Sequence, residues 1–195
     1  MRASMDLGYG RLAPGPAGRS VWIVLIVTSG TCLSPFFACV TPFAALATLA
    51  AVKLGRRDAI AAVGLVWLTN QAIGYGFLGY PLTWDSAAWG LTIGASSGLA
   101  ILAARGLYTT NPVPLPVSLP FIAAFAVFEL GLYAAGLVLP GADGAFTASV
   151  VGHVFLINAV ALCGLVAVYH LAIMSGLLPR NDGPGLLTVG RVSYR

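Results

Sequence analysis

Residues 21–52 read VWIVLIVTSGTCLSPFFACVTPFAALATLAAV and run up against Lys53, Arg56 and Arg57. One membrane crossing takes about 20 apolar residues, with a range of about 17–25. The stretch is too long for one ordinary helix and short for two. The charges decide between the readings. Basic residues fall at Arg2, Arg11 and Arg19, then Lys53, Arg56 and Arg57, then Arg105, then Arg180, Arg191 and Arg195. Short cytoplasmic loops collect Lys and Arg. A single span through 21–52 puts Arg19 and Arg57 on opposite faces, and the clusters then disagree. A hairpin of two short helices puts every cluster on one face. Pro35 and Pro42 each remove a backbone donor and disfavour a continuous helix. A re-entrant hairpin that turns back inside the bilayer gives the same charge pattern.

Beyond Lys53, four more runs are long and apolar enough to cross: 58–78, 87–108, 119–140 and 149–171. The expected fold is an all-α membrane protein, a six-helix transmembrane bundle whose first two helices form a short hairpin. Residues 1–19 are a cytoplasmic N-terminal segment, 20–176 the six-span domain and 177–195 a cytoplasmic tail. Both termini then face the cytoplasm across the inner membrane. The opposite connections, Ser34-Pro35, 80–86 and 141–148, hold Asp85 and Asp143 but no Lys or Arg. Pro112, Pro114 and Pro116 stiffen the connection between the fourth and fifth spans.

Composition supports the same class. Hydrophobic residues are 58% of the chain, charged residues 8%, and the mean hydropathy is +0.91. A soluble domain carries about 25% charged residues. The net charge of +4 therefore orients the chain in a lipid bilayer. No Lys/Arg run interleaved with aromatics suggests nucleic acid. Cys32, Cys39 and Cys163 lie in apolar sequence and match no zinc pattern. They read as small buried hydrophobes. A basic leader this long, with no small-x-small site after the first apolar run, argues against a cleaved signal peptide.

Polar groups at membrane depth are costly and so are candidates for function. Glu129 is the acidic residue in the interior of a span, with Phe125 and Tyr133 four residues to either side on the same face. Asn70 and Gln71 are adjacent on the 58–78 run, and Gln71 shares a face with Trp67 and Tyr75. Aromatic, amide and phenol groups in one stripe suit a small organic ligand. Asn158 lies at similar depth on the last span. Interhelical hydrogen bonding is at least as good a reading of Asn70 or Gln71 alone. His153 does not share a face closely with Asn158, and His170 reads as an interface residue. Gly90, Gly94 and Gly98 form two GxxxG steps, which let a neighbouring helix or a partner subunit approach closely. No HExxH, GxSxG, P-loop or CxxC motif occurs, so the reading is non-enzymatic, with no cofactor and no metal.

The segments Thr41-Pro42-Phe43-Ala44-Ala45-Leu46-Ala47, Gly55-Arg56-Arg57-Asp58, Gln71-Ala72-Ile73-Gly74 and Gly79-Tyr80-Pro81 resemble the substrate-binding S components of energy-coupling factor (ECF) vitamin transporters. The resemblance is loose and covers roughly residues 21–104. It implies a six-helix subunit that captures a small, vitamin-like solute in a pocket toward the outside. It also implies a membrane scaffold subunit and two ATPases as partners. The start Met1-Arg2-Ala3 lacks the Met-His beginning of the cobalt and nickel branch. The alternative is a non-catalytic accessory or assembly subunit of a larger membrane complex, docked through the glycine stripe.

Overall fold

The computed structural model describes residues 41–110 and 115–175. Five helices make up this part: α1 (Phe43–Lys53), α2 (Arg56–Gly76), α3 (Trp84–Thr110), α4 (Ser118–Gly136) and α5 (Ala148–Met174). There is no strand among the described residues. Three of the helices, α3, α4 and α5, are long and apolar enough to cross a membrane. The chain is an all-α protein of the membrane type. The expected first half of the hairpin, with Cys32 and Cys39, lies outside the described residues, as do the N-terminal segment and the tail. The described part therefore holds five helices, three of them long and apolar enough to cross, and α2, the expected 58–78 span, is not among those three.

α1 is the centre of the bundle. It packs against each of the other four helices, and all 11 of its residues are buried. Its sequence allows this. Ala44, Ala45, Ala47, Ala50 and Ala51 put small side chains on every face, and no charge occurs before Lys53. Small residues let neighbouring backbones come close in lipid, and a helix that is apolar all round belongs inside. At about 1.5 Å per residue its 11 residues span about 16 Å, roughly half of a bilayer core of about 30 Å. α1 alone does not cross. Its first turn lies beside Phe128 of α4, whose ring centroid is 6.1 Å from that of Phe43.

Both ends of α1 are satisfied from a distance. At the start, Asn158 of α5 accepts a hydrogen bond from the Ala45 amide at 3.2 Å and donates to the Val154 carbonyl at 3.0 Å. An asparagine cap normally comes from the residue just before the helix; here it comes from 113 positions along the chain. At the other end, Arg105 Nη1 donates to the carbonyls of Ala51 and Leu54 at 3.3 and 2.9 Å. A cation at a helix C-terminus also opposes the negative end of the dipole.

The outer helices follow their sequences. Asp58 stands in the first turn of α2, where a carboxylate is favoured. Past the end of α2 the chain turns back through Gly79 at φ 69°, and the Tyr80 amide bonds the Gly74 carbonyl at 3.0 Å. Pro120 sits in the first turn of α4, where its missing N–H costs nothing. α5 buries one stripe, Ile157, Asn158, Ala161, Leu162, Leu165, Tyr169 and Ala172, and exposes Leu156, Val160 and Leu171 on other faces. Such faces need lipid.

Candidate functional site

The sequence candidates separate into three places. The first is the α2–α3 contact. Trp67 Nε1 donates to the Gly90 carbonyl at 2.8 Å, and the Tyr75 hydroxyl lies 3.2 Å from that of Ser86. Gln71 lies between them with its amide oxygen against Gly90: a Cβ there would stand 2.5 Å from Oε1. A Cβ on Gly94 would stand 2.8 Å from Trp67 Cε2. The missing side chains of Gly90 and Gly94 thus admit Trp67 and Gln71 of the neighbouring helix. Gly98 differs, since a Cβ there would meet nothing within 4 Å.

Packing does not consume this face completely. Trp67, Gln71 and Tyr75 line an open groove of about 450 Å³ with Leu82, Thr83, Ala87, Gly90 and Leu91. Small-molecule sites occupy about 300–1,000 Å³ and combine apolar walls with a few directed polar groups. A second groove of about 350 Å³ continues from Trp67 and Leu91 along Gly64, Gly94, Ala95 and Gly98. Both grooves are walled mostly by apolar surface.

The second place is the buried start of α1. Asn70 Nδ2 donates to Thr41 Oγ1 at 2.8 Å, and Asn158, 1% exposed, caps the helix from the far side. Both amides hold helices together here. Gln71 Nε2 donates to Asn70 Oδ1 at 3.3 Å and links this cluster to the groove.

The third place is the C-terminal half of α4. Glu129 is half-buried one residue past Phe128 and has no hydrogen-bond or ion-pair partner among the described residues. Tyr133, 49% exposed, stacks edge-on against Phe146 with centroids 5.4 Å apart. Neither residue makes a hydrogen bond to Asn70, Gln71 or Asn158. Glu129→Gln should therefore leave stability within about 0.5 kcal/mol of wild type, as changes away from networks do. Unfolding in detergent checks it; a larger loss would reveal a partner for the carboxylate.

The remaining candidates stand apart. His153, His170 and Cys163 are exposed on α5, so Cys163 is not a buried hydrophobe. The reason is its place opposite the stripe that faces α1. No His/Cys/Asp/Glu group able to hold a metal occurs among the described residues. Sequence reasoning did not find Thr83 on the groove, or the capping roles of Asn158 and Arg105. The one available signal was Arg105, a lone cation at the end of an apolar run.

No family model, curated protein or solved structure matches the chain.

Proposed function

We propose that the chain is a non-catalytic membrane transport protein, a substrate-capture subunit that binds a small, vitamin-like organic solute in the outer α2–α3 groove. The observation behind this reading is the groove of about 450 Å³ walled by Trp67, Gln71 and Tyr75. An indole face, an amide and a phenol around one space offer stacking and directed hydrogen bonds together. The proposal includes six spans, both termini on the cytoplasmic side of the inner membrane, and ECF-type partners: a scaffold subunit and two ATPases. The charge clusters and the resemblance over residues 21–104 support those parts.

Trp67 makes the test direct. Its fluorescence should respond when a panel of small heterocyclic solutes is titrated into the purified protein. Gln71→Ala should weaken the responding solute about five- to thirty-fold, the loss of one or two directed hydrogen bonds at about 1–2 kcal/mol. Copurification of an ATPase pair would support the partner set. A panel without response, together with purification free of ATPases, would remove this reading.

A second reading has its own observation. Gly98 opens onto the apolar groove of about 350 Å³, and the centre of the bundle is filled by α1. An accessory subunit needs such a filled interior and an exposed small-residue face. Gly98→Leu would then abolish assembly with its partner yet leave the fold of the isolated subunit intact.

A further inference from the structure

At the end of the bundle away from the solute groove, a small cavity of about 90 Å³ lies between the end of α1, the Leu54-Gly55 connection and the end of α3. Lys53, Arg105, Tyr108 and Thr109 contribute to its lining, with Leu54 and Gly55. Lys53 and Arg105 are its charged lining residues, and the Asp58 carboxylate stands near Gly55 at its edge. Lys53 is 7% exposed, and its ammonium lies 4.2 Å from the centroid of the Tyr169 ring. The face of the Tyr169 ring offsets part of the cost of burying that charge. Arg105 serves the α1 carbonyls with one nitrogen of a guanidinium that carries five N–H donors in all. Arg56 and Arg57, both exposed, follow at the start of α2 and add to the positive field.

We propose that this cavity binds the phosphate of an anionic phospholipid headgroup. The volume is about three times the roughly 30 Å³ share of one liquid water, enough for a small polyatomic anion. Arginine and lysine around one cavity supply charge-assisted donors to phosphate oxygens. Basic pockets between transmembrane helices on the cytoplasmic side suit such headgroups. The surroundings favour a lipid over a soluble phosphate. Leu102 lies two helical turns from Thr109 on the same face of α3, and both Leu102 and Leu99 are exposed. A headgroup seated at Lys53 and Arg105 would lay its acyl chains along these leucines.

Native mass spectrometry of the purified protein, with phosphatidylglycerol and phosphatidylcholine supplied in equal amounts, tests this. Wild type should retain phosphatidylglycerol at a concentration at least about tenfold lower than phosphatidylcholine, which corresponds to about 1.4 kcal/mol. Lys53→Met should abolish the preference. Methionine keeps an unbranched, flexible side chain of similar volume in the buried position. Arg105→Gln, which keeps an amide donor for the α1 carbonyls, should weaken the preference as well and serves if Lys53→Met yields no folded protein. Equal retention of the two lipids would overturn the proposal, as would an unchanged preference in both variants. Displacement of the lipid by inorganic phosphate at equal concentration would also overturn it, by assigning the cavity to a soluble anion.

Discussion

Asn158→Ala should cost about 2–3 kcal/mol of stability, more than any other single polar-to-alanine change in the bundle. The change removes the acceptor of the buried Ala45 amide. An unsatisfied buried donor costs about 1–3 kcal/mol, and losing a helix cap costs about 0.5–2 kcal/mol. The two figures describe overlapping effects and do not simply add. The volume vacated by a fully buried side chain adds a cavity term. Thr69→Ala is the control, since its exposed hydroxyl only bonds back to the Leu65 carbonyl. Unfolding of both variants in mixed micelles measures the difference. A loss below about 0.5 kcal/mol for Asn158→Ala would show that α1 does not depend on this cap.

That dependence explains what the sequence could and could not convey. The long helices were legible. Runs at 87–108, 119–140 and 149–171 became Trp84–Thr110, Ser118–Gly136 and Ala148–Met174, because crossing a bilayer demands length and apolarity that few other structures need. The shared face of Trp67, Gln71 and Tyr75 was legible too, because residues four apart stack on a helix. What that face meets was not. Only the tertiary structure sets Gly90 and Gly94 opposite it. The amides were ambiguous for a similar reason. Asn70 and Asn158 read equally as ligand groups or as helix-binding groups until Thr41 and Ala45 appear as their partners. Depth alone grouped Glu129 with them. Equal depth is a coordinate along the membrane normal and says nothing about which side of α4 the carboxylate occupies. The short α1 was the hardest element, since its half-length only makes sense with a neighbouring side chain at each end.

The glycine stripe carries the other large effect, and it should divide within a single helix. Gly94→Ala should destabilise the protein by about 1–3 kcal/mol, the usual cost of overpacking a fitted contact. The new methyl would stand 2.8 Å from Cε2 and 2.9 Å from Nε1 of Trp67. The indole cannot simply swing aside, because Nε1 is committed to the Gly90 carbonyl at 2.8 Å. Either that bond breaks or α2 and α3 separate, and both outcomes deform the groove that Trp67 walls. Gly90→Ala should cost less, since it meets the end of the Gln71 side chain, which has rotatable bonds with which to withdraw. Gly98→Ala should cost nothing and gain up to about 1 kcal/mol from alanine's better helix propensity, because its Cβ enters open space. The expected order of stability is therefore Gly98→Ala, then Gly90→Ala, then Gly94→Ala. Equal losses at all three positions would mean that backbone flexibility, rather than the fit of Trp67 against α3, is what the glycines provide.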